Sequence, residues 1–253
     1  MKSMRFSLLM VIVLAMCIGG YDIVDAQKKD NKDTSKAAVK LGVQTKETQT
    51  ALSPERALQL LKEGNQRFVA DKSRNQRLYR KQVPLTAKGQ YPFAVILSCI
   101  DSRSSVEDIF DLNNGDAFNA RIAGNVVTPD ALGGFEFATK VMGAKLIVVL
   151  GHTKCGAIYG ACDGVELGNL TPLLKEVEPA INNVDSSIQP RNSKNVKFVE
   201  MVTEENVRQA MKQIREDSPI LRELIDSSKV AVVGGIYHLD SGRVEFLKSR
   251  VQQ

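Results

Sequence analysis

The chain has 253 residues, of which 43% are hydrophobic and 25% charged. These proportions exclude a collagen, a coiled coil or a largely disordered chain, and four Cys are too few for a disulfide scaffold. Of the +5 formal charge, residues 27–53 carry +3, so the rest of the chain has no strong basic face and nucleic acid is not an expected partner.

Lys2 and Arg5 precede an apolar run from Phe6 to Gly20, and Val24-Asp25-Ala26 follows with small residues at its first and third positions. This pattern predicts a secretory signal over residues 1–26, cleaved after Ala26, and an exported, periplasmic protein. A retained N-terminal anchor is the alternative. A lipid-anchored envelope form is a third reading, because Leu14-Ala15-Met16-Cys17 loosely resembles a lipobox. Residues 27–53, rich in Lys, Thr, Gln and Asp, read as a flexible polar linker.

The folded part, 54–253, opens with Ser53 as N-cap and Pro54 at the first helical position. Ala57, Leu58, Leu60, Leu61, Phe68 and Val69 give that helix an apolar stripe. A second helical piece is expected from Arg74 to about Gln82. Apolar runs at Phe93–Leu97, Leu146–Leu150 and Val230–Val233 read as strands buried on both faces, and Phe118–Ile122 as a further strand. Helices are expected from Thr128-Pro129 to Met142, where Gly143 stops the pattern, over Asn195–Asp217, and after Ser218-Pro219. Arg243–Leu247 reads as a closing hairpin strand. Strands alternating with helices predict an α/β fold with a mainly parallel central sheet of four to five strands flanked by helices.

Two clusters follow predicted strands, at the carboxyl ends where such folds place their sites. They are Ser98-Cys99-Ile100-Asp101-Ser102-Arg103 and Gly151-His152-Thr153-Lys154-Cys155-Gly156. If Lys154 begins a helix, His152 and Cys155 stand one turn apart. With Cys99 they form a Cys₂His set that suits zinc and leaves one position open. Asp101 lies two residues beyond Cys99, on the same side of an extended chain. It can fill the fourth position or pair with Arg103.

C-x-D-x-R followed some fifty residues later by H-x-x-C-G resembles the signature of the β-class carbonic anhydrases. Leu61–Phe68, Gly115–Phe118, Arg121–Asn125 and Cys162-Asp163-Gly164 are also similar to that family. The resemblance implies a β-carbonic anhydrase-like fold. It also implies one zinc per chain on Cys99, His152 and Cys155, with Asp101 as fourth ligand or as partner of Arg103. The implied reaction is reversible hydration of carbon dioxide to bicarbonate and a proton. Zinc acidifies bound water, and Asp101, ionised by Arg103, accepts its hydrogen and orients it. Two thiolates favour activity on the alkaline side. The chain has no Trp, so the family's second bicarbonate pocket cannot be built in its usual form. Gln90, nine residues before Cys99, matches the plant-like branch and is expected to bind substrate, as is Gly156. The resemblance further implies a homodimer or an assembly of dimers, with the early helix wrapping across a neighbour.

Two other functions share these residues. One is a zinc hydrolase of carbonyl sulfide or carbon disulfide; the other is a non-catalytic envelope zinc-binding protein. Retention of Arg103 argues against the latter, because a closed structural site has no use for a gating partner. Cys162 and His238 read as a packed thiol and a structural or surface imidazole.

Overall fold

The computed structural model describes residue 38 and residues 40–74 and 78–248. The expected signal, Cys17 and the first part of the expected linker lie outside these residues. Helices α1 (Lys46–Ala51), α2 (Pro54–Val69) and α3 (Tyr79–Thr86) precede strand β1 (Ala94–Ser98). Then come α4 (Val106–Ile109), β2 (Ala117–Arg121), a 3₁₀ turn (Ala123–Asn125) and α5 (Pro129–Glu136). Beyond β3 (Leu146–His152) lie α6 (Gly156–Cys162), α7 (Leu170–Lys175), α8 (Glu178–Asn183), α9 (Val196–Glu216) and α10 (Pro219–Asp226). The chain closes with β4 (Ala231–Tyr237) and β5 (Val244–Phe246).

The five strands form one sheet in the order β2-β1-β3-β4-β5; β5 is antiparallel and the other pairings are parallel. The expected α/β class and mainly parallel sheet are therefore observed. Strands β1 and β3 are buried along their whole length. Their alternate residues feed two cores. Val95, Leu97, Ile147 and Val149 face a cluster with Phe135, Val207, Ile214 and Leu221. Ala94, Ile96, Leu146 and Val148 face Ala57, Leu61, Ile109 and Phe110. Covering helices on both faces explain why these strands read as unbroken apolar runs. After β1 the chain goes to β2 on one side of it and then to β3 on the other. The order thus reverses at β1, and a crevice opens at the carboxyl ends of β1 and β3.

Helix α2 starts as expected, with the Ser53 side chain accepting from Arg56 N at 3.2 Å. Its apolar stripe packs on the protein's own core through Ala57 and Leu61. Gly64 lies so close to the Phe110 backbone that a Cβ would sit 1.9 Å from its carbonyl oxygen. Asn65 donates to Ile109 O and Gly242 O and accepts from Val244 N, tying the helix to α4 and to β5.

Three expectations need correction. The segment 40–53 is not a flexible linker: it carries α1, capped by Thr45. Gln49 is buried and donates to Pro92 O and Met142 O at 2.6 and 2.8 Å. A polar composition concealed this, because the buried contacts are made by amides. The helix expected over Arg74–Gln82 is α3, displaced toward the C-terminus, where the Gln82 amide reaches Leu41 O and Asn113 Oδ1. The helix expected to reach Met142 is α-helical only to Glu136 and continues as a π-helical stretch, Phe137–Val141. There the Thr139 hydroxyl bonds back to Phe135 O at 2.8 Å, competing with the regular ladder.

Candidate metal centre

Cys99 follows β1 directly, and His152 ends β3. Ser98 pairs with Leu150 in the β1–β3 register, so the two chain ends leave the sheet side by side. Lys154 takes a left-handed conformation (φ 55°) and turns the chain, so that Cys155 becomes the N-cap of α6. The helix thus begins at Gly156 and not at Lys154, as the spacing predicted. His152 and Cys155 still converge, because the turn replaces the helical step. The ligand atoms of Cys99, His152 and Cys155 all lie within 4.8 Å of one another, and all three residues are buried.

The imidazole is oriented for coordination. His152 Nδ1 stands 2.9 Å from Thr153 O, and a carbonyl only accepts, so Nδ1 carries the hydrogen. Nε2, which offers its lone pair, is a buried atom with no hydrogen-bond partner. Thr153 is held by β4 and the turn beyond it: its N–H donates to Tyr237 O, and its hydroxyl accepts from Leu239 N. The two sulfurs lie 3.9 Å apart. Their contact lowers the Cys99 thiol and raises the Cys155 thiol, because one proton serves both. Two sulfurs, one orphaned imidazole nitrogen and burial fit zinc.

Asp101 engages Arg103 with both carboxylate oxygens. Arg103 Nε and N each donate to Oδ1 at 2.9 Å, and Nη2 donates to Oδ2 at 2.7 Å. These bonds hold the Asp101 carboxyl far below the usual carboxylate range, against a smaller opposing effect of burial. Asp101 Oδ2 is 3.8 Å from His152 Nε2. Asp101 is thus paired with Arg103 at the edge of the three candidate ligand atoms.

The remaining expected residues divide. Gly156 is exposed at the start of α6, with open space where a Cβ would stand. Gln90 is exposed beside Thr86, Asn114 and Gly115, before the start of β1. Five strand residues separate it from Cys99, about 17 Å at strand rise. One chain therefore does not bring Gln90 to its own Cys99, His152 and Cys155. Cys162 is half-buried, and burial pushes its thiol up to about 11. His238 lies at the surface 3.6 Å from Glu245.

Sequence reasoning missed the frame around the ligands. Arg121, which ends β2, donates to Cys99 O at 3.1 Å and to Asp101 O at 2.5 Å. Gly124 N donates to Cys99 Sγ at 3.4 Å. Asn206 donates to Gly124 O at 2.8 Å. Strand adjacency would have pointed to Arg121, and a polar residue within an apolar helical stripe to Asn206.

Residues 94–244, more than half of the chain, match the family described as carbonic anhydrase. The chain belongs to the β-carbonic anhydrase family. It is 35% identical over 191 residues to carbonic anhydrase 2 of Mycobacterium tuberculosis, covering 76% of this chain and 91% of that protein. A β-carbonic anhydrase of Aspergillus fumigatus superposes with a TM-score of 0.61 at 28% identity, covering 73% of this chain and 87% of that one. A tetrameric β-carbonic anhydrase of Sordaria macrospora gives 0.60 at 26% identity, covering 68% of this chain and 89% of that one. The activity class of this β-carbonic anhydrase is carbon dioxide hydration, and Cys99, His152 and Cys155 form a site that can hold zinc.

Proposed function

We propose that the protein interconverts carbon dioxide and bicarbonate at one zinc per chain, held by Cys99, His152 and Cys155, with Asp101 and Arg103 as the catalytic pair. One observation carries this reading: three buried ligand atoms converge beside a carboxylate that an Arg holds ionised. Zinc in this position supplies the polarisation that makes water acidic near neutral pH. Asp101 accepts a hydrogen from the reacting water and fixes its lone pair toward the substrate carbon. Arg103 keeps Asp101 charged and turned aside from the metal. Arg121 holds the carbonyls on either side of Ile100, so the Asp101 backbone cannot drift. Open space over Gly156 leaves room for a small substrate.

The absence of Trp and the presence of Gln90 support placing the chain in the plant-like branch. Gln90 then serves the site of a second copy, which fits an assembly built from dimers. The basic, apolar and small-residue pattern of the first 26 residues supports export to the periplasm.

Stopped-flow hydration of carbon dioxide tests the reading, on zinc-loaded protein and on the same protein after chelation. Activity that appears with one zinc per chain, and is lost with Cys99→Ala together with the metal, is the expected result. Full zinc occupancy in Cys99→Ala overturns the ligand assignment. Faster turnover of carbonyl sulfide or carbon disulfide in parallel assays overturns the substrate assignment.

A further inference from the structure

We propose that Asn206 is a positioning residue for the metal centre, holding the Gly124 peptides so that the Gly124 N–H donates to the Cys99 sulfur. The proposal rests on the zinc reading above.

The turn after β2 contains two successive left-handed residues, Gly124 (φ 69°) and Asn125 (φ 48°). Gly tolerates this conformation; Asn adopts it at some cost. The turn closes on itself through Asn125 N donating to Ile122 O at 2.8 Å. That bond orients the Gly124–Asn125 peptide but does not itself fix the Ala123–Gly124 peptide, which carries the Gly124 N–H, nor anchor the turn to the rest of the fold. The carbonyl receives the Asn206 amide at 2.8 Å, and the N–H meets Cys99 Sγ at 3.4 Å. Rotation of the turn would break both bonds together.

Asn206 is an unusual occupant of its position. It is buried in the middle of α9, on the face that carries Val202, Val207 and Ala210 into the cores. A buried primary amide costs stability unless it is bonded, and an apolar side chain of similar size would fit that stripe. Its bond to Gly124 gives the amide a partner. Helix α9 has 21 residues and packs against β3 and β4, so Asn206 couples the turn to a rigid frame. A hydrogen bond to a thiolate withdraws electron density from sulfur and stabilises the deprotonated ligand. In a site with two thiolates, this offsets part of the charge that they donate to the metal.

The test compares wild type, Asn206→Leu and Thr203→Val. Thr203 lies one turn earlier on α9, and its hydroxyl donates within the helix to Val199 O. Zinc affinity is measured by competition with a chelator, and the cobalt-substituted proteins are examined for their sulfur-to-metal charge-transfer band. Asn206→Leu should bind zinc about tenfold to a hundredfold more weakly and move the cobalt band to longer wavelength. Thr203→Val should change neither. A folded Asn206→Leu with wild-type zinc affinity and cobalt spectrum overturns the proposal. So does Thr203→Val moving both readouts as far as Asn206→Leu does. If Asn206→Leu does not fold, wild type loaded with a spin-active cadmium isotope decides. Scalar coupling between the Gly124 amide proton and the metal is expected, and its absence overturns the proposal. Wild type that takes up neither zinc, cobalt nor cadmium overturns the metal reading, and this proposal with it.

Discussion

Arg103 contributes three hydrogen bonds to the Asp101 carboxylate, two from its side chain and one from its backbone. Arg103→Ala removes the two side-chain bonds and the positive charge, leaving Asp101 free to turn toward the metal. Its rate should fall on the order of a hundredfold, and the acidic limb of its pH–rate profile should move to higher pH. Zinc content should stay at the wild-type level. A pH–rate profile checked for zinc measures all three, and an unchanged profile would reduce the pair to a surface contact. A second carboxyl, just before β2 and away from Cys99 of its own chain, titrates in the opposite sense. Asp116 Oδ2 accepts from Asn113 N and Nδ2, while Oδ1 is buried without a partner. Burial raises its pKa from 3.8 to about 7. Between these values the native state keeps a proton that the unfolded chain has released. Stability therefore declines as pH rises from about 4 to about 7, and the full penalty remains above that. Asp116→Asn keeps an acceptor for Asn113 and does not titrate. It should melt above wild type at pH 8, with the gap closing toward pH 4, as thermal denaturation at constant salt would show.

At the scale of elements, the approach of α2 to α4 is set by one missing side chain. A Cβ on Gly64 would sit 1.9 Å from Phe110 O and 2.7 Å from its carbonyl carbon, and backbone cannot rotate aside as a side chain can. Gly64→Ala should therefore cost about 3 kcal/mol, the upper end for overpacking. The exposed neighbour Gln66→Ala should stay within about 0.5 kcal/mol. Denaturant titration of both variants separates the clash from a general effect on the helix. The Gly64-Asn65 pair was visible in the sequence as part of the family resemblance. Its meaning was not, because the atoms it approaches are backbone some 45 residues away.

For the whole molecule, the decisive distance is the one between Gln90 and Cys99 at opposite ends of β1. A substrate-binding role for Gln90 requires a second copy to present it. Gln90→Ala should lose activity while keeping zinc. Co-expression of Gln90→Ala with Cys99→Ala should restore part of it, because mixed dimers contain one site with an intact metal and an intact Gln. Sedimentation should show no active monomer at assay concentration. A fully active monomer, or no recovery on co-expression, would place Gln90 outside the site.

The sequence by itself determined the strands β1 to β4, the α/β class and the candidate ligand trio. Each depends on short-range pattern: apolar runs of strand length, N-caps before Pro54, Pro129 and Pro219, and Cys and His at strand ends. It did not determine the docking of residues 40–53, because amide-to-carbonyl bonds such as Gln49 to Pro92 and Met142 leave no apolar trace. Nor did it show the turn at Lys154, where a single left-handed residue replaces the helical step that the spacing predicted. The roles of Arg121, Gly124 and Asn206 were decided by tertiary structure alone. Strand order places β2 beside β1, and packing places α9 over the turn after β2. Only then do Arg121 and Gly124 reach Cys99, and Asn206 reach Gly124 from a distant part of the chain.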